Sequence, residues 1–73
     1  MSERKQITHM QVRMVRMATE KWGLPVDEVA RLFDRYQVFA YIRDCFGIFH
    51  MEGDEAVWEE LVPFLKNKRC AYV

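Results

Sequence analysis

The chain of 73 residues is poor in cysteine, glycine and proline, and it has no net charge. It contains two cysteines, three glycines and two prolines, and eleven basic residues balance eleven acidic ones. Cys45 and Cys70 are too few for the dense disulfide framework of small secreted domains, so we expect reduced thiols, with a single Cys45–Cys70 bond left open. A run of about 18 apolar residues, which a membrane-spanning helix needs, is also missing.

The N-terminal segment is polar. Residues 2–6 read Ser-Glu-Arg-Lys-Gln, and no apolar stretch of about 7 to 15 residues follows Met1, so the sequence predicts no signal peptide. Together with reduced thiols, this favours a cytoplasmic protein without a membrane partner.

Apolar side chains are abundant in spite of the short length. They make up 51% of the residues, and 14% of the residues are aromatic. Disordered chains combine low hydrophobicity with high net charge, which is the opposite composition. We therefore expect residues 1–73 to fold as a single domain around one core.

The first helix is predicted over residues 4–22, where apolar residues recur at steps of three and four. The members of this stripe are Ile7, Met10, Met14, Met17, Ala18 and Trp22, and Val12 and Val15 widen it. Gly23 and Pro25 then predict a left-handed cap followed by a residue that cannot continue the helix.

Three further segments have helical spacing. A second helix is predicted over residues 25–35, a third over 38–46 closed by Gly47, and a last one that begins with Asp54 as its N-cap. The β-branched and aromatic residues of the third segment leave a strand open as an alternative. Pro63 predicts a kink or a split in the last helix. The fold class is thus all-α, a small orthogonal bundle of four to five short helices.

The sequence contains no recognisable catalytic or metal-binding constellation. His9, Cys45, His50 and Cys70 are numerous enough for a zinc site, but only Cys45 and His50 lie near each other in sequence. Cys45 falls on an apolar helix face, where burial makes a thiol inert. We therefore predict no enzyme activity, metal, cofactor or small-molecule substrate.

The methionines of the first helix suggest an interface. Met10, Met14 and Met17 form a ridge on a basic amphipathic helix, and flexible thioethers recur on surfaces that accept partner proteins. Core filling is the alternative interpretation. Because the helix has apolar residues on more than one face, we predict that Met10, Met14, Met17 and Trp22 bind a protein partner or a second copy of the chain.

Charge is unevenly distributed along the chain. Residues 1–21 contain five Lys and Arg residues against two carboxylates, whereas residues 52–60 contain five carboxylates and no Lys or Arg. The simplest consequence is that the first helix lies near, or attracts, the acidic segment of its own chain or of a partner. A solvated charged face, which is the more common role of such charge runs, is the alternative interpretation.

A helix-turn-helix DNA-binding regulator is the alternative function. Residues 25–46 read as helix, short turn and helix. The second of these helices, however, has Arg43 as its single basic residue, and a pI near 6.7 gives little attraction to phosphate. DNA binding is possible but less favoured than protein binding.

The string LFDRYQVFAYIRDCFGIFHMEGD at residues 32–54 resembles a family of short uncharacterised bacterial proteins, defined as a domain of unknown function. The shared features, over about residues 32–65, are Leu32-Phe33, Tyr41-Ile42, Phe46, His50, Gly53 and the run to Leu65. The resemblance implies an all-helical fold and an antitoxin-like or regulatory partner role, since members are often encoded beside toxins. It transfers no catalytic residue. Tyr41 and His50 complete the predicted interaction residues, with a structural hydrogen bond as the alternative for His50.

Overall fold

The computed structural model describes residues 2–73, and four helices follow one another along them. These are α1 (Glu3–Trp22), α2 (Val26–Arg35), α3 (Val38–Phe49) and α4 (Asp54–Asn67). The described residues contain no strand. The all-α prediction is confirmed with four helices, and the strand alternative for the third segment is wrong.

Helix α1 begins and ends at the residues that the sequence indicates. The Ser2 hydroxyl accepts a hydrogen bond from the Lys5 N–H at 3.3 Å, which satisfies one of the free amides of the first turn. Gly23 is left-handed with φ 67°, and its N–H donates to the Thr19 carbonyl at 3.0 Å. Pro25 then precedes α2, so three residues separate the two helices.

Helix α3 is longer than predicted. Gly47 does not end it, and the helix continues to Phe49. A glycine inside a helix costs about 0.5–1 kcal/mol relative to alanine. The burial of Phe46 and Phe49 on either side of Gly47 offsets that cost, because both rings pack into the core.

Helix α4 departs from two predictions. The N-cap is Gly53, and Asp54 is the first helical residue. The helix also runs without interruption through Pro63, so the predicted split is wrong. Pro63 and Glu59 are both exposed. The Glu59 carbonyl that loses its helical partner therefore faces solvent, where water satisfies it.

The C-terminal residues fold back onto the bundle through a Schellman motif. Arg69 is left-handed with φ 61°, its N–H donates to the Lys66 carbonyl at 3.0 Å, and the Cys70 N–H donates to the Leu65 carbonyl at 3.0 Å. The turn buries Cys70 and directs Tyr72 onto Trp22.

Helix α1 is the centre of the bundle. It packs against α2, α3 and α4, and α3 also packs against α2 and α4. The radius of gyration is 11.5 Å, close to the value of about 11 Å expected for a compact chain of this length. The shared core consists of Met10, Met14, Val15, Ala18, Val29, Phe33, Val38, Ile42, Phe46, Phe49, Val57, Trp58, Leu61, Leu65 and Cys70. None of the described helices is long and apolar enough to cross a membrane.

Candidate protein-interaction surface

The methionine ridge of α1 faces the protein's own core. Met10 is 2% exposed and Met14 is fully buried, while Met17 is half-buried. The prediction that these thioethers form an interaction surface is therefore wrong for Met10 and Met14. Three helices surround α1 and cover more than one of its faces, which a reading of the helix in isolation could not reveal.

Trp22 holds the end of α1 against α4 and the C-terminal tail. Its ring is half-buried, stacks on Tyr72 with centroids 5.4 Å apart, and lies 5.5 Å from Trp58 and 6.1 Å from Phe33. Such aromatic contacts contribute about 0.5–1.5 kcal/mol each beyond the burial of area. The contacts seen around Trp22 are thus internal.

Tyr41 is half-buried between α3 and α4. Its ring stacks on Phe64 with centroids 4.1 Å apart and meets the edge of Phe49 at 5.7 Å. Burial raises the pKa of the phenol, and neighbouring Cys45 and Glu60 raise it further. Tyr41 therefore joins two helices and keeps its proton.

His50 is exposed and caps the end of α3. Its Nδ1 lies 2.9 Å from the Phe46 carbonyl, and its ring stacks on that of Phe46. Because a carbonyl can only accept, Nδ1 is the protonated nitrogen of this contact. This is the structural hydrogen bond anticipated as the alternative for His50. The ring also borders an open recess of about 350 Å³ that His9, Arg13 and Glu52 share.

The two thiols and the two histidines do not converge. Cys45 is half-buried, Cys70 is buried, and both are free cysteines. Within residues 2–73 no three His, Cys, Asp or Glu side chains are grouped so that they could hold a metal ion.

A largely apolar recess of the surface is a groove between α1, α2 and α3. Its volume is about 460 Å³. Val12 is 44% exposed and Val26 is 59% exposed, although both are apolar. The lining residues, which define the groove, are Thr8, Gln11, Val12, Val15, Arg16, Val26, Ala30 and Phe39.

Short side chains keep the groove open. Val12 on α1 and Val26 and Ala30 on α2 line the groove, and all three side chains are short. Gln11 fixes the far wall, because its Nε2 donates to the Phe39 carbonyl at 2.9 Å and ties α1 to α3. A half-buried hydrogen bond of this kind holds a wall in place without filling the recess.

The edge of the groove on α1 is basic. Val12 has His9 three residues before it and Arg16 four residues after it, which places both beside it on the helix surface. Lys5, two turns before Val12, lies on the same face. Lys5, His9 and Arg16 form the basic edge. Arg16 and Lys5 make no ion pair with any described residue.

The edge of the groove on α2 is acidic and follows the same spacing. Ala30 has Asp27 three residues before it and Asp34 four residues after it. Asp27 pairs with Arg31 at 3.4 Å, whereas Asp34 has no ion-pair partner among residues 2–73. Asp27 and Asp34 form the acidic edge.

The opposite side of α1 is closed by α4. Arg13 Nε lies 3.1 Å from an oxygen of Asp54, and Lys21 Nζ lies 3.8 Å from one of Glu55. The basic first helix therefore meets the acidic segment of its own chain, which confirms the expectation drawn from the charge distribution.

None of the six predicted interaction residues lines the groove. Sequence reasoning counted Val12 only as widening the apolar stripe of the first helix and did not name it as an interaction residue, although a valine between His9, Arg13 and Arg16 is placed on the polar side of an amphipathic helix. Val26 lies next to Pro25 at the start of a helix, and this position likewise indicates an exposed side chain. What sequence reasoning missed is that Val12 and Val26 line the same groove from two different helices.

Comparison with known proteins gives one match. A family model described as a protein of unknown function (DUF3791) matches residues 9–68. This confirms the resemblance to an uncharacterised family and extends it from residues 32–65 into α1. No curated protein and no solved structure matches the chain.

Proposed function

We propose that this chain, which belongs to the DUF3791 family of proteins of unknown function, is a protein-binding module that receives the apolar side of a partner in its groove. The observation that carries the proposal is the exposure of Val12 and Val26 on opposite walls of one apolar recess. Exposed apolar surface rimmed by polar residues is typical of interaction sites. An antitoxin-like or regulatory role is one use of such a module.

The composition of the groove supports binding rather than catalysis. Arg16 is its single ionisable lining residue. General acid–base catalysis is usually carried by His, Asp, Glu, Lys, Tyr or Cys, and none of these lines the groove. Free Cys45 and Cys70 further support the proposal that the protein works in the reducing cytoplasm.

Helix-turn-helix DNA binding has less support. The helices α2 and α3 are joined by Tyr36 and Gln37 alone, whereas DNA-binding versions of the motif usually have about three to four turn residues. Helix α3, which would be the recognition helix, begins with Val38, and this side chain is buried. Its single basic residue, Arg43, pairs with Asp44 at 3.2 Å. Few basic groups are thus available for phosphate or base contacts, and DNA binding stays a prediction.

Site-specific photo-crosslinking in living cells tests the proposal. Val26 is replaced by a photoreactive phenylalanine analogue in one variant, and Ile48, which is 69% exposed, is replaced in a matched control. We expect discrete protein adducts from position 26 and none of the same mass from position 48. Absence of adducts at position 26, or the same adducts at both positions, contradicts a role for the groove.

A further inference from the structure

We propose that the occupant of the groove is a second copy of this chain, packed about a twofold axis that runs along the groove, so that α1 of each copy lies against α2 of the other. This inference rests on the proposed function and names the partner that the same surface fits. Its basis is that the charged edges of the groove are complementary to each other across a twofold axis and that both walls carry exposed apolar side chains.

The middle of the groove is apolar on both walls, so it can pack against the same region of a second copy. In a twofold interface the same patch is supplied by both partners, so apolar surface must lie opposite apolar surface. Val12 on one wall and Val26 and Ala30 on the other supply it in this chain. Rotation about an axis along the groove sets Val12 of each copy against Val26 and Ala30 of the other.

The same rotation brings opposite charges together twice. It places the basic edge of each copy, with Lys5 and Arg16, against the acidic edge of the other, with Asp27 and Asp34. A twofold axis across the groove would instead set basic edge on basic edge and acidic on acidic, which like-charge repulsion disfavours. The charge pattern therefore selects one orientation of the second copy.

Within the chain, an ion pair offsets this pattern at Asp27 alone among the described residues. Arg16 and Asp34 have no ion-pair partner among the described residues. Arg31 already pairs with Asp27 at 3.4 Å, but both side chains are more than 70% exposed, and such a helix-surface pair is weak. Asp27 can consequently accept a second cation from the other copy.

The dimer is expected to be weak and salt-sensitive. Its apolar centre consists of short side chains, and its charged edges are exposed, so we expect a dissociation constant of roughly micromolar order. Raising the salt from low to about 1 M shortens the screening length to about 3 Å and should dissociate it further.

A charge-exchange experiment tests the arrangement. The first variant, Lys5→Glu with Arg16→Glu, makes both edges acidic, and the second, Asp27→Lys with Asp34→Lys, makes both edges basic. Analytical ultracentrifugation should show a wild-type dimer and a dissociation constant at least about tenfold weaker for each variant alone. An equimolar mixture of the two should dimerise as the wild type does, since each contact again joins opposite charges.

A control separates this specific pairing from attraction between oppositely charged proteins. Glu59→Lys with Glu60→Lys changes the net charge as much as the second variant does, but on the exposed face of α4. Mixed with the first variant, it should form much less heterodimer than the second variant does, since only one of the two contacts then joins opposite charges. As much heterodimer with this control as with the second variant, a wild type that is monomeric at millimolar concentration, variants that dimerise unchanged, or a mixture that stays monomeric would each overturn the proposal.

Crosslinking from position 26 distinguishes failure of the dimer proposal from failure of the proposed protein-binding function. An adduct of twice the chain mass agrees with a second copy. Adducts of another mass, together with a monomeric wild type, leave the groove as a protein-binding site and overturn the dimer alone.

Discussion

The two sides of α1 differ in how completely they are covered. On the side toward α4, Trp22 packs among aromatic rings, and the ion pairs from Arg13 and Lys21 cross the helix boundary. On the side toward α2 and α3, Val12 and Val26 face an open recess. We call these the closed side and the open side. The first is covered by the chain's own side chains, and the second leaves apolar side chains exposed.

The difference comes from side-chain size. Aromatic rings span the distance between packed helices and exclude water, whereas valine and alanine leave a gap when helices are held apart by other contacts. On the open side that separation is kept by Val15 in the core and by Gln11 bonded to the Phe39 carbonyl.

The largest expected effect contrasts the buried and the exposed face of α1. Met14→Ala removes a fully buried side chain and leaves a cavity, so the free energy of unfolding should fall by about 2–5 kcal/mol. Val12→Ala in the groove should change it by no more than about 0.5 kcal/mol. Urea unfolding followed by tryptophan fluorescence measures both. Equal losses would mean that the groove is part of the folding core.

A smaller effect concerns the wall of the open side. Gln11→Met keeps the volume of the side chain but removes the hydrogen bond to the Phe39 carbonyl, so we expect a loss of about 0.5–1.5 kcal/mol in unfolding free energy. Self-association should weaken as well, because the wall loses its fixed position. Unchanged stability would show that the wall does not depend on this bond.

A substitution in the turn after α4, at the end of the closed side, should stabilise the protein. Arg69 is left-handed with φ 61°, a conformation that costs a residue with a side chain about 1 kcal/mol relative to glycine. Arg69→Gly should therefore raise the free energy of unfolding by about 0.5–1 kcal/mol and leave self-association unaltered. Thermal unfolding followed by circular dichroism measures the gain in stability. Lys66→Gly inside α4 is a control that should destabilise the protein.

The smallest effect lies at the ion pairs of the closed side. Asp54→Asn removes the charge that accepts from Arg13, and both side chains are more than 40% exposed. We expect a loss of about 0.2–1 kcal/mol that disappears in high salt. A loss of several kcal/mol that salt does not change would mean that the closed side depends on charge rather than on its aromatic contacts.

Much of the fold could be predicted from periodicity and caps. The helical spacing and the Gly23–Pro25 stop located α1 within one residue of its observed start, and the fold class followed from the four periodic segments. Predicted helix breaks failed where the surroundings of the glycine or proline offset the local signal. Gly47 stays inside α3 because the flanking Phe46 and Phe49 are core residues, and Pro63 stays inside α4 because its side of the helix faces solvent.

The candidate site could not be predicted in the same way. A groove is a relation between helices, and the sequence of α1 alone cannot tell which of its apolar residues a neighbouring helix covers. Met14 and Val12 are both apolar and two residues apart, yet the first is fully buried and the second is 44% exposed. Charge was more informative, because the opposite signs of residues 1–21 and 52–60 anticipated the contacts of Arg13 and Lys21.

The most direct test of the open side as the binding side is a dilution series followed by amide NMR spectroscopy. Each amide reports on its own surroundings, so the residues whose signals depend on concentration outline the contact surface. We predict concentration-dependent shifts at Val12, Val26 and Ala30, and constant signals at Trp58 and Glu59 of α4. Shifts confined to the α4 side, or signals that no concentration alters at the groove while the protein self-associates, would contradict the account.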